Sequence, residues 1–151
     1  MSAAVYPLAA MPQLVGQTLG TSDWVQVDQS RIDSFAHATG DDQWIHVDAQ
    51  RAVGGPFGTT IAHGFLTLSL LPVLMTSAFS IDGVRMSVNY GLDRLRFLAP
   101  VPVNSRLRGH FRLLACDAIE GGAQLKVETT IEREGAGKPV CVAEALSRCF
   151  R

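Results

Sequence analysis

From Phe65 to Phe79 the chain is apolar on nearly every side of a helix. A helix of that kind has to be enclosed by other structure, since it offers no polar face to water. Thr67, Ser69, Pro72, Thr76 and Ser77 interrupt the run, and a bilayer span needs about 20 mostly apolar residues. The segment therefore reads as a buried core helix, which Pro72 should kink or end because it removes a backbone hydrogen bond. From residue 85 the period changes to two. Leu107, Phe111, Leu113 and Ala115 alternate with Arg106, Arg108, His110 and Arg112; Leu125, Val127 and Ile131 alternate with Gln124, Lys126, Glu128 and Glu132. Both stretches read as half-buried antiparallel strands joined through Gly121-Gly122. Val140 to Phe150 is more apolar and reads as a central strand, entered by a turn at Gly135-Ala136-Gly137. One enclosed helix followed by long antiparallel strands predicts an α+β domain in which a curved sheet wraps the helix.

The N-terminal half is less regular. Residues 1–20, with Pro7, Pro12, Gly16 and Gly20, read as an irregular arm, and residues 21–151 as a single domain without repeats or linkers. Trp24, Val25 and Val27 mark a short strand. Asp28 or Ser30 can cap a helix whose face is Ile32, Phe35, Ala36 and Ala38, and Gly40 ends it. Asp41 to His46 follows as a loop, then a brief helix from Asp48 to Ala52.

Composition narrows the function. The 151 residues are 47% hydrophobic and only 18% charged, against about 25% charged in an average domain. Disorder is excluded, and the shortage of charge predicts apolar surface buried against a second subunit or lining a pocket. With a net charge of −1 and a pI near 6.4, the chain lacks the electrostatic footprint of a nucleic-acid binder. Three cysteines without CxxC spacing fit a reducing compartment, and no basic residue precedes Arg31 to form a secretory leader. The expectation is a cytoplasmic protein with no membrane or nucleic-acid partner.

Asp41 and His46 are the residues that stand out chemically. A carboxylate and an imidazole within reach of one water can share acid and base roles near neutral pH; equally, Asp41 can cap the next turn and His46 fill a loop. His46, Asp48 and His63 can also be read as metal ligands, but His-x-Asp is a weak pattern and no histidine pair is spaced i,i+4, so no metal is expected. The glycines form no GxGxxG phosphate loop, and Gly64 to Ser69 lacks the G-x-S-x-G serine elbow. His63-Gly64 stands just before the enclosed helix, whose first N–H groups are unsatisfied. Gly64 there can serve an oxyanion hole or simply a tight turn.

Phe35-x-x-Ala38-Thr39-Gly40-Asp41-x-x-x-Ile45-His46-x-Asp48, followed by Phe57-Gly58-x-x-Ile61-Ala62-His63-Gly64, resembles the hydratase 2 motif of the MaoC-like hot-dog family, which contains (R)-specific enoyl-CoA hydratases. Asp42-Gln43-Trp44-Ile45-His46 and Asn89-Tyr90-Gly91 are most similar to its nodulation protein N-like branch, and Arg96 to Val101 resembles the family's strand and turn after the central helix. The likeness spans roughly residues 20 to 150. It implies a hot-dog fold paired as a homodimer, with an acyl-CoA thioester as substrate and no cofactor. It makes Asp41 and His46 the catalytic dyad and the Gly64 N–H the oxyanion-hole donor. Ser69 would support the aspartate with His63 beside it, and Trp44, Phe57 and Asn89 would contact substrate. Trp44 stands where many members carry proline, so acyl preference does not carry over.

The implied reaction adds water to the β-carbon of a trans-2-enoyl-CoA and a proton to the α-carbon, giving the (R)-3-hydroxyacyl-CoA, or runs in reverse. Which member of the dyad is the base stays open at this level. An acyl-CoA thioesterase on the same fold and a non-catalytic acyl-CoA-binding protein are the competing expectations.

Overall fold

The computed structural model describes residues 2–151. A five-strand path, in which β2 (Thr18–Thr21), β6 (Ser105–Ile119), β7 (Gly122–Arg133), β8 (Cys141–Phe150) and β5 (Met86–Phe97) lie side by side, carries β3 (Val25–Val27) as a further antiparallel partner of β6. All pairings in this sheet are antiparallel. The period-two reading sets its faces: Leu107, Phe111, Leu113, Leu125, Val127 and Ile131 are all buried. On the other face Arg106 pairs with Glu134, Arg108 with Glu132 and Arg112 with Glu128. β8 lies inside the sheet, as its apolar sequence predicts, with Cys141 and Ala143 wholly buried.

The enclosed segment forms two helices, α4 (Gly64–Ser69) and α5 (Leu71–Ala78), jointed at Leu70. Pro72 lies in the first turn of α5, where its missing N–H costs nothing. Leu66, Leu70, Leu71, Leu74 and Ala78 pack into the core formed by the sheet. The chain adopts the hot-dog layout.

Two expectations need correction. The arm is not irregular: β1 (Ala4–Pro7) pairs in parallel with β4 (Phe79–Asp82), and a 3₁₀ helix over Leu8–Leu14 follows. Leu8 and Met11 belong to the core, and the boundary at residue 20 cuts through β2. Burial of apolar side chains offsets the poor local regularity there. The loop after Gly40 is also shorter than expected, because Trp44–Val47 closes one helical turn, α2, ahead of α3 (Ala49–Val53). On α1 (Gln29–Thr39), Ile32 and Ala36 face the core but Ala38 is exposed.

β5 is an edge strand, exposed along almost its whole length. Met86, Val88, Tyr90, Leu92 and Phe97 all leave large apolar groups in solvent. Bulges beside Tyr90 and Asp93 break its register with β8. The shortage of charge seen in the composition has a location here.

Candidate active site

Asp28 caps α1 by accepting the Arg31 N–H at 2.9 Å. Gly40 ends the helix with φ 79°, a conformation that glycine adopts freely, and its N–H closes on the Ala36 carbonyl at 2.8 Å. This turn sets Asp41 at the mouth of a cluster in which one ligating atom each of Asp41, His46 and His63 lies within 4.8 Å of the others. Asp41 is exposed, whereas His46 and His63 are 6% and 2% exposed.

The two rings are held by backbone oxygens. His46 Nδ1 donates to the Ile61 carbonyl at 2.7 Å, and His63 Nε2 donates to the Asp41 carbonyl at 2.9 Å. A carbonyl only accepts, so each contact names the nitrogen that carries the proton. The free lone pair of neutral His46 is therefore on Nε2, and that of His63 on Nδ1, which is buried without a partner among the described residues. The rings stack, with centroids 3.9 Å apart and planes at 26°, and the Phe35 ring lies 4.8 Å from that of His63, tilted by 52°. Burial lowers the His46 pKa from 6.5; the Ile61 hydrogen bond and Asp41 oppose the shift, and His63 adds to it.

The other expected residues fall into three places. Gly64 begins α4, where amides lack an intrahelical acceptor and the His63 side chain provides no cap. It lines a cavity of about 360 Å³ with Phe57, Ile61, Thr67 and Phe97. The Phe97 ring lies so close that a Cβ on residue 64 would come within 2.8 Å of it. Ile61 joins this cavity to the histidines, since it lines the one and accepts the hydrogen bond of the other. Trp44 packs on α3, with the Arg51 guanidinium 4.4 Å from its ring centroid and the Gly55 backbone so near that a Cβ there would approach the ring to 2.9 Å. It braces the α2 turn rather than lining the Gly64 cavity.

Ser69 and Asn89 come together in another cavity of about 380 Å³, with Leu68, Pro72 and Leu92. The Ser69 hydroxyl donates to the Phe65 carbonyl at 2.6 Å, and among the described residues it makes no hydrogen bond to Asp41. The expectation that Ser69 supports the aspartate is corrected: its proton is spent one helical turn back. Asp48 likewise is no partner of His46, because its carboxylate caps α3 on the Arg51 N–H at 3.0 Å. The cysteines lie in β6 and β8, and burial pushes the Cys141 thiol up to about 11, out of the nucleophilic range.

Sequence reasoning missed the carbonyl of Ile61, although the residue lies inside the second motif. It also missed Gln29 and Thr60, which bracket the site from the scaffold side. A backbone acceptor leaves no signature in residue type, and a glutamine at the start of a helix reads as solvated surface.

Comparison with known proteins identifies the family and the fold. The model of the MaoC like domain matches residues 10–136. The 3-hydroxyacyl-thioester dehydratase Z of Mycobacterium tuberculosis is 50% identical over 142 residues, covering 93% of this chain and 94% of that protein. Nodulation protein N of Rhizobium leguminosarum bv. viciae is 49% identical over 144 residues, 93% of this chain and 89% of its own. Among solved structures, the unliganded R-hydratase PhaJ1 from Pseudomonas aeruginosa superposes with a TM-score of 0.73 at 25% identity, over 91% of this chain and 82% of its own. The match over most of the chain and the shared wrapped-sheet fold place it among these proteins, and the chain belongs to the MaoC-like family.

Proposed function

We propose that the chain hydrates trans-2-enoyl-CoA to (R)-3-hydroxyacyl-CoA, or dehydrates the latter; relatives named as a 3-hydroxyacyl-thioester dehydratase and an R-hydratase support this reading. The observation that carries the reading is the state of His46: its Nδ1 proton is committed to the Ile61 carbonyl, and burial disfavours the charged ring, lowering its pKa. Nε2 then carries the free lone pair, on a ring with a ligating nitrogen within 4.8 Å of the Asp41 carboxylate. In the hydration direction a water held between Nε2 and Asp41 gives a proton to Nε2 while its oxygen attacks the β-carbon. The electrons of the double bond move to the thioester oxygen, where the Gly64 N–H would receive the developing charge. A proton from the imidazolium–carboxylate pair then returns to the α-carbon, leaving the site as it began. No redox change occurs and none of these steps calls for a cofactor.

The homodimer belongs to this reading. A long exposed edge strand carrying Met86, Val88 and Tyr90 is a liability in a free chain, and pairing with a second copy covers it. Unpaired thiols in β6 and β8 support residence in the cytoplasm; among the described residues no helix is long and apolar enough to cross a membrane.

Purified protein supplied with enoyl-CoAs of graded chain length should consume the conjugated-thioester absorbance and release the (R)-alcohol, with no free thiol. Asp41→Asn should lower the rate by about 10²–10⁴-fold. Release of CoA thiol without loss of the double bond would replace this reading by a thioesterase.

A further inference from the structure

Gln29 lies outside both sequence motifs, yet its side-chain amide is fully committed. Nε2 donates to the His46 carbonyl and to the Asp33 carboxylate, both at 2.8 Å. Oε1 accepts from the Thr60 hydroxyl at 2.6 Å. The amide cannot be turned over, because a carbonyl and a carboxylate only accept and the NH₂ has to face them.

This one side chain joins the start of α1, the α2 turn and the segment before α4. Thr60 is 2% exposed, and the residue after it supplies the carbonyl that holds His46 Nδ1. The Thr60–Ala62 segment is itself pinned from behind. The Val103 N–H donates to the Thr60 carbonyl at 2.9 Å and the Ala62 N–H to the Val101 carbonyl at 2.8 Å. The connections close a ring: His46 backbone, Gln29 amide, Thr60 hydroxyl, Ile61 carbonyl, His46 imidazole. α2 spans only Trp44–Val47 and has few bonds of its own. A single helical turn does not hold itself in water, so the aim of His46 has to be imposed from outside.

We infer that Gln29 and Thr60 are positioning residues that fix the tautomer of His46 and the direction of its Nε2. This rests on the reading of His46 as an acting group. The groups that face the His46 ring are Asp41 from the loop after α1 and His63 from the start of α4; Asp33 reaches it only through Gln29, and Asp48 is turned to α3. Loosening the clamp weakens the Ile61 hydrogen bond, which holds the His46 pKa up against burial. The pKa then falls further and the ring samples both tautomers.

The test compares Gln29→Ala, Thr60→Val and Thr60→Ser, using enoyl-CoA hydration and ¹⁵N-resolved imidazole spectra. Gln29→Ala and Thr60→Val should lower kcat by about 10–100-fold, with KM within about 3-fold of wild type. Their acid limb should move to lower pH, and His46 should show mixed tautomers. Thr60→Ser, which keeps the hydroxyl, should restore rate, limb and the single Nδ1–H tautomer. The inference is overturned if folded Gln29→Ala keeps kcat within about 2-fold of wild type. It is equally overturned if kcat falls while limb and tautomer stay as in wild type, the mark of a merely structural loss. Thr60→Val, close to threonine in volume, serves if Gln29→Ala does not fold. His46→Gln separates the two readings: full activity there sinks the role of His46, whereas an inactive His46→Gln beside a normal Gln29→Ala sinks only the clamp.

Discussion

Replacing His46 by glutamine or by alanine separates what the ring does for the reaction from what it does for the fold. The ring makes one buried hydrogen bond, to Ile61 at 2.7 Å, and one stack, on His63 at 3.9 Å. Alanine leaves the Ile61 carbonyl without a donor, costing about 1–3 kcal/mol, and removes a stack worth about 0.5–1.5 kcal/mol. The sum is roughly 2–4 kcal/mol, which in a domain of this length lowers Tm by about 6–12 °C. Glutamine carries an N–H that can reach the same carbonyl, so it loses only the stack, about 1 kcal/mol and about 3 °C. Catalysis should not follow this order. Neither substitute has a titratable lone pair where Nε2 stood, so both should lose about 10²–10⁴-fold in hydration rate, about 3–5 kcal/mol of barrier. Thermal unfolding gives the first quantity and loss of conjugated-thioester absorbance the second. A rate in His46→Gln within about 10-fold of wild type would refute the assignment of base to this ring. Equal melting temperatures for the two variants would refute the account of the Ile61 bond.

Gly64→Ala brings a Cβ within 2.8 Å of the Phe97 ring. That ring is half exposed at the sheet edge and can yield, so stability should change by no more than about 1–2 kcal/mol in chemical denaturation. The rate should still fall, because the wall of the cavity beside the Gly64 amide moves; unchanged kinetics would remove Gly64 from the site. The lowered His46 pKa predicts an acid limb of kcat/KM below 6.5. The same shift has a stability consequence: as pH falls below 6.5 the unfolded chain binds this proton before the folded one does. Stability from this group therefore declines from 6.5 downward and levels off below the folded-state value, and His46→Gln should flatten that part of the pH–Tm curve. Val88→Lys places a charge on the exposed edge of β5 and should convert a dimer to a monomer by light scattering at micromolar concentration. A wild-type monomer under those conditions would refute the pairing.

Much of this protein was legible from local pattern. The all-round apolar run at 65–79 and the period of two after residue 85 define a wrapped helix, since a side chain's face follows from its spacing along one element. Asp41, His46 and Gly64 were likewise visible, because motif residues keep a fixed spacing on a short stretch of chain. The tertiary structure alone decided how these parts meet. His63 stacks on His46 across the intervening α3, and Gln29 ties α1 to Thr60 by a contact that no periodicity records. Ser69 turns back on its own helix while Asn89, far along the chain, shares its cavity. The arm, read as irregular, is held by Leu8 and Met11 in the core. Apart from the Ser69 bond, which is local, the deciding energy is a contact between residues remote in sequence, which residue type permits but only packing selects.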